Sequence, residues 1–415
     1  MKSPARCGFA ELGAVPSAFV DQLPALAEVI VHTGLNLRAG QRLLIAEPYQ
    51  LQGVSREAAP LVEAVTDAAL RAGAVAVDVI WGDEAQLRRF AERGDRRSFE
   101  RMVARNAQTM AVAVVREDAL LFLEASHAGL MAGFPAENTD TFSMLAWSHF
   151  GPIAQQLARG ATNWTVSCAP TPSWADRVYA DLPAAQRLDQ LWADVFAAMR
   201  IAPGGRALAD WQTHLAGLQQ RCDDLNRAPP ARIRFRGPGT DLAMALAPKH
   251  VWCTAVLATR SGRRFVANLP TEEVFTAPHR DSAKGRVCVA GPVAYGGEVM
   301  DGIELEFSGG RVVGAKARIA EALLHRVLSL DSGTSRLGEV ALVPGETAIA
   351  RAKRFFLHPL LDENACHHIA LGQAYPFTLR DGTTLPPRRL EAAGCNQSLI
   401  HVDLPLDAEV EILPG

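Results

Sequence analysis

Nowhere does the chain hold a run of about 20 apolar residues free of charge, so no membrane-spanning helix is expected. Neither sign of charge prevails. Against 45 Asp and Glu stand 42 Lys and Arg, a formal net charge of −3, which gives no global attraction to nucleic acid or to an anionic membrane surface. Cysteine is scarce and unpatterned. The seven residues Cys7, Cys168, Cys222, Cys253, Cys288, Cys366 and Cys395 are odd in number, scattered, and form no Cys-x-x-Cys pair. That excludes a disulfide framework and reads as free thiols in a reducing compartment. From Met1 to Pro16 no long apolar run follows the basic residues, as a secretory leader would require. A cytoplasmic chain is therefore expected. Internal repeats and low-complexity tracts are lacking too, and no glycine cluster fits a dinucleotide fingerprint after a predicted strand. Gly237-Pro238-Gly239-Thr240-Asp241 superficially suggests a phosphate loop but lacks the Lys-Ser/Thr and the following helix, so it reads as a turn.

What remains is an ordinary globular composition, 48% hydrophobic and 21% charged over 415 residues, a length suited to two or three domains. The first half alternates between periods. Ser17 to Thr33 carries apolar residues at helical spacing, Arg42 to Ala46 is a short apolar run, and Glu57 to Gly73 is a second amphipathic helix. Val75 to Trp81 reads as a buried strand, Ala119 to Ala125 and Trp164 to Ala169 as further strands, with a helix near Thr139 to Arg159 between the last two. Strands and helices in that alternation predict a parallel sheet covered by helices. Two polar-faced helices follow between Asp181 and Ala228, broken at Pro203-Gly204-Gly205. Beyond Pro229-Pro230 the period becomes two, with hairpins expected at Gly296-Gly297 and Gly309-Gly310 and one helix at Ile319 to Leu330. The fold class expected is α/β in two domains. Residues 1–228 form an N-terminal parallel sheet flanked by helices, with a helical connector, and residues 229–415 form a strand-rich α+β domain.

Four segments of the second half stand out chemically. Asn268 to Arg280 sets the adjacent carboxylates Glu272 and Glu273 in a proline-bounded stretch. Leu337 to Pro344 puts Glu339 near the head of an apolar strand. Glu363 to Tyr375 brings His367 and His368 into an apolar strand that ends on a tyrosine, and Asn396 to Asp403 closes on His401-x-Asp403. Residues i and i+2 of a strand share a face, so His401 and Asp403 can reach one ion, and imidazole with carboxylate suits Zn²⁺, Co²⁺, Mn²⁺ or Fe²⁺. Alone, such a triplet is more often surface chemistry. Here its flanks are apolar, as are those of Glu339 and His368, and buried charges must be paired or bind metal. Too few lysines or arginines lie nearby to pair them all. The bland readings differ by residue: Glu272 and Glu273 as a solvated acidic pair, Glu339 at a strand edge, Tyr375 as a core tyrosine. His367 faces away from His368, Cys366 is an inert buried thiol, and His279 with Arg280 serves either substrate or surface.

The segments NLPTEEVFTAPHRD (268–281), YGGEVMDGIELEF (295–307), ENACHHIALGQAYP (363–376) and NQSLIHVD (396–403) resemble those of the thermophilic metallo-aminopeptidases, the aminopeptidase T and aminopeptidase S group. APTPSWADRVYADLP (169–183) and FRGPGTDLAMAL (235–246) extend the likeness, which runs from about residue 20 to about 405. The resemblance implies a homodimer whose C-terminal half holds two divalent ions (Zn, Co, Mn or Mg) in a deep cleft. By the same resemblance the metal ligands are Glu273, Glu339, His368, Tyr375, His401 and Asp403. Glu272, beside a ligand, becomes the candidate proton shuttle, and Tyr375 a candidate for helping to stabilise the carbonyl oxygen. The implied reaction is hydrolysis of the N-terminal peptide bond by a metal-activated water, on a peptide or amide substrate with a free N-terminus and with no nucleic-acid or membrane partner. Three departures are visible: Cys366-His367 before the ligand histidine, about twenty extra N-terminal residues, and LPLDAEVEILPG after Asp403 in place of a phenylalanine-methionine pair and a glycine-rich hairpin. The last is expected to bear on the cleft or the dimer contact. Two rival readings stay open: an amide-hydrolysing or peptide-tailoring enzyme of a biosynthetic pathway on the same metal site, and a mononuclear iron ring-cleaving dioxygenase. The dioxygenase would need only His368, His401 and Asp403 and has no use for Glu273 and Glu339.

Overall fold

The computed structural model describes residues 15–47, 53–125, 130–131 and 133–413; Cys7 and the N-terminal leader question lie outside them. The apolar runs of the first half form a four-stranded, all-parallel sheet in the order Ala76–Val79, Arg42–Ala46, Ala119–Glu124, Trp164–Cys168. The central Ala119–Glu124 strand is buried at all six positions, as a strand covered on both faces must be. Ala76–Val79 is instead a half-buried edge strand, its exposed Asp78 paired with Arg42 at 2.8 Å, so the expectation of a buried strand there is corrected. Helices Glu84–Arg93 and Arg96–Val115 occupy a stretch for which the sequence reading named no element. Both begin at aspartates, Asp83 and Asp95, whose carboxylates accept from the Gln86 and Ser98 backbone N–H groups, the usual N-cap arrangement. The Ser17 to Thr33 helix is interrupted, and its last turn, Val29–Gly34, is a π-helix.

Helices Ala184–Ala198 and Ala207–Arg227 then carry the chain to a six-stranded antiparallel sheet. Its order is Arg311–Lys316, Glu304–Ser308, Lys284–Cys288, Thr240–Ala245, Arg232–Gly237, Glu409–Leu413. The departing C-terminal segment is thus an edge strand of this sheet. A second antiparallel sheet, in the order His401–Pro405, His368–Gly372, Leu337–Leu342, Val274–Thr276, packs into the same core. The two halves are stitched together. Ala267 and Leu269 bond Val166 at the outer edge of the parallel sheet, and Ile349, Phe356, Leu360 and Leu361 join the N-terminal core. No helix among the described residues is long and apolar enough to cross a membrane.

Candidate metal centre

The smaller antiparallel sheet carries the chemistry by register. Ala370 pairs with Glu339 on one side and with Asp403 on the other, and directly opposed residues of an antiparallel pair project to one face. Glu339, Ala370 and Asp403 therefore form a row whose middle member is only a methyl group. His368 and His401 lie two residues from Ala370 and Asp403 on that face. Between Leu337 and Glu339 the register shifts by a bulge, a device that re-aims a side chain. Gly338 permits it, since a Cβ there would stand 2.4 Å from the Gln373 carbonyl oxygen.

The resulting cluster is tight. His368 Nε2 lies 3.1 Å from Glu273 Oε2, 3.5 Å from Glu339 Oε1 and 4.0 Å from Asp403 Oδ1, while His401 Nε2 lies 3.1 Å from Asp403 Oδ1 and 3.9 Å from Glu339 Oε2. Two triads result, Glu273–Glu339–His368 and Glu339–His401–Asp403, each with ligand atoms within 4.8 Å of one another and both sharing Glu339. His401 Nδ1 stands 2.8 Å from the Gln373 carbonyl oxygen. A carbonyl can only accept, so Nδ1 carries a proton, and Nε2 is the ring nitrogen turned to the cluster, available to an ion once its own proton leaves. Among the described residues no lysine or arginine pairs with Glu273, Glu339 or Asp403.

The electrostatics are those of crowded acids. Burial, relieved in part by His368, raises the pKa of Glu273. Burial opposes charge on His368, but the Glu273 and Glu339 carboxylates hold its pKa well above the ordinary histidine value. Burial likewise opposes charge on His401, and the Asp403 carboxylate outweighs it, lifting the ring to about 9. In return the His401 ring holds Asp403 low against its own burial. A divalent ion fits this donor set. Glu273 Oε2 and His368 Nε2 are buried 3.1 Å apart with no further hydrogen-bond partner beyond each other, an arrangement that suits two ligands turned to one ion.

The cluster floors a cavity of about 400 Å³ between the halves, walled by Phe99, Phe122, Phe142, Trp147 and Phe150 of the first half and by Phe275 and Tyr375 of the second. Glu47 and Glu124 reach it from the carboxyl ends of two neighbouring parallel strands, where the strand order reverses and open α/β sheets usually bind ligands. Tyr375 packs its ring 4.9 Å from that of His401, and burial with the surrounding carboxylates drives its phenol pKa well up.

Other predicted residues fall elsewhere. Glu272 does not face the cluster. Its carboxylate turns to Arg200, whose Nη2 donates to both oxygens at 2.8 and 3.0 Å, while the adjacent Glu273 lines the cavity. Glu272, expected as the proton shuttle, thus lies outside the cavity lining and is paired with Arg200. His367 faces away from the cluster, with its Nδ1 accepting from the Val343 N–H; Cys366 is outside the cavity wall. Arg280 pairs with Glu391, and the His279 Nδ1 accepts from the Asp281 N–H. Glu363, unweighed in the sequence, does line the cavity. Its Oε1 accepts from the Asn268 and Asn364 amides at 3.1 and 3.3 Å, and burial beside Glu273 drives its pKa well up. Its place at the head of the ENACHHIALGQAYP segment is the only signal the sequence offered for it.

Two carboxylate–histidine triads facing a cavity in an α/β chain make up the donor set of a metalloenzyme site. The sequence profile of the thermophilic metalloprotease family, M29, matches residues 19–413. The chain is 35% identical to aminopeptidase T of Thermus thermophilus over 94% of each protein. It is 33% identical to aminopeptidase 2 of Geobacillus stearothermophilus over 92% of this chain and 91% of that one. The solved structure of wild-type AmpT from Thermus thermophilus superposes with a TM-score of 0.85 at 34% identity, covering 95% of this chain and 96% of that one. The chain belongs to the M29 metalloprotease family.

Proposed function

We propose that this metallo-aminopeptidase works with two divalent ions, held by Glu273 and His368 on one side and by His401 and Asp403 on the other, with Glu339 shared between them. The observation that carries the reading is the pair of triads that overlap at Glu339. Zinc, cobalt, manganese and magnesium all suit such ligands, and Tyr375 stands beside them as a further ligand or as a hydrogen-bond donor to the substrate carbonyl. Bound ions supply a water of lowered pKa and a polarised scissile carbonyl. The chain does the rest. The carboxylate-rich floor of the cavity attracts the substrate's free α-ammonium, which favours cleavage at the N-terminus. The aromatic wall receives the neighbouring side chain and excludes water.

Glu363 takes the place of Glu272 as proton carrier. It lines the cavity and is fixed at Oε1 by Asn268 and Asn364, a position from which a carboxylate can accept the proton of the attacking water and return it to the leaving amine. The mononuclear dioxygenase reading needs three ligands only, whereas Glu273 and Glu339 stand within the same cluster. A cytoplasmic homodimer acting on peptides is the setting this reading expects. The test is metal content of gently purified protein together with release of leucine from a leucyl peptide. Two divalent ions per chain, with cleavage lost on chelation and in Glu339→Gln, support it. One iron per chain with no cleavage overturns it.

A further inference from the structure

Behind the metal centre, on the side away from the cavity, the helical connector between the halves grips the Thr271–Glu272 segment. Arg200 Nη2 donates to both Glu272 oxygens and lies 2.9 Å from His214 Nδ1. A guanidinium nitrogen can only donate, so Nδ1 accepts, and His214 Nε2 carries the proton and donates to the Thr271 carbonyl at 2.7 Å. From the other side the Asn364 amide oxygen accepts the Glu272 N–H at 2.6 Å. The segment just before Glu273 is thereby held at three points.

Arg200 is placed there against local preference. It stands at φ +58 where the Ala184–Ala198 helix ends, and the turn is a Schellman motif, with Ile201 N–H bonded to the Phe196 carbonyl and Arg200 N–H to that of Ala197. The residue at that position is normally glycine, and arginine rarely adopts a positive φ. Its guanidinium lies over the Trp211 ring at 4.9 Å, while Trp211 Nε1 donates to the Met199 carbonyl at 2.8 Å. The connector thus fixes the arginine before the arginine fixes Glu272.

We infer that Arg200 and His214 are positioning residues for the metal centre, setting the direction in which the next residue, Glu273, presents its carboxylate. This rests on the two-ion reading. Outer contacts that orient a ligand commonly change metal affinity by about 10–100-fold when removed, and here only the site that includes Glu273 should feel the change.

The test titrates metal-free protein with Co²⁺ alone, following visible absorption and binding heat, and records the melting temperature of the metal-free form. Arg200→Lys keeps the charge but loses the planar guanidinium that lies over Trp211 and carries Nη2 to both Glu272 and His214. Expected is a loss of about 10–100-fold at one of the two Co²⁺ sites, with the second site and the metal-free melting temperature kept. Equal affinities in variant and wild type overturn the inference. So does weakening of both sites together with a lower metal-free melting temperature, which would make the clamp a brace of the fold. If Arg200→Lys does not fold, Glu272→Gln decides by the same criteria, since it retains the shape and weakens the charge. Failure of the underlying reading looks different: wild-type protein would bind fewer than two Co²⁺, and Glu339→Gln would not alter the titration.

Discussion

The strands Ala119–Glu124 and Leu337–Leu342 are each buried at all six positions, yet they were built for different ends. The first is apolar until Glu124, its last residue, where the strand opens on the cavity. The second carries Glu339 in its interior, beside His368 on one neighbour and across from Asp403 on the next. An apolar strand between helices contributes stability through burial. A carboxylate in the same surroundings subtracts from it unless something pairs the charge. The N-terminal half supplies most of the apolar wall, and the C-terminal half holds crowded charge of the kind that suits a metal ion.

The sharpest way to break this contrast is to exchange the damage. Glu339→Gln should lower peptide cleavage by about 10³-fold or more, as expected for several kcal/mol of lost charge stabilisation, and should remove bound metal while leaving a folded protein. Leu121→Ala, in the apolar strand, should retain metal content but lose about 2–5 kcal/mol of stability in chemical denaturation. Were the two variants to show the same pattern, the division of labour would be wrong.

Next in size is removal of the ions. Dialysis against a chelator should abolish cleavage, and with free metal at 100 times its Kd the chain should lose about 2.7 kcal/mol of apparent stability. Restoration by Co²⁺ or Zn²⁺, measured as melting temperature and as leucine release, completes the check.

A smaller stability effect with a clear local meaning is expected of Ala370→Leu. The methyl group of Ala370 leaves the hollow between Glu339 and Asp403. Filling it should cost about 1–3 kcal/mol by overpacking and lower the metal count per chain by elemental analysis. Full metal content in that variant would refute the shared face.

The gentlest effect is in pH. His358 packs its ring 4.7 Å from that of Trp174, and burial holds its pKa down to about 3 even with Glu124 Oε2 at 3.1 Å. The unfolded chain takes up this proton near pH 6.5, the folded chain near 3. Stability present above pH 6.5 is therefore lost progressively as pH falls toward 3, by at most about 1.4 kcal/mol per pH unit. Melting curves of wild type and His358→Gln between pH 7.5 and 5 test this; the variant should show the flatter dependence.

Much of this was legible in the order of residues. Alternating apolar runs and glycine breaks foretold the parallel sheet, and His401-x-Asp403 in an apolar run foretold two groups on one face. Glu272 and Glu273 show where legibility ends. They are adjacent and chemically alike, and nothing in the sequence tells which turns to the cavity, because that depends on Arg200, which stands 72 positions away. Glu363 was hidden for a related reason: it lies in no periodic element, and only the asparagines at 268 and 364 bring it to the cluster.

By itself the sequence determined the candidate side chains and the strands that carry them, since these depend on side-chain chemistry and on the period of two along a strand, and, through the resemblance of whole motifs, the family. Tertiary structure alone decided that Glu339 stands between two triads, that Ala370 leaves the hollow, and that an arginine from the connector holds the neighbouring glutamate. Those facts depend on register between strands and on contacts across the two halves, which local periodicity does not encode.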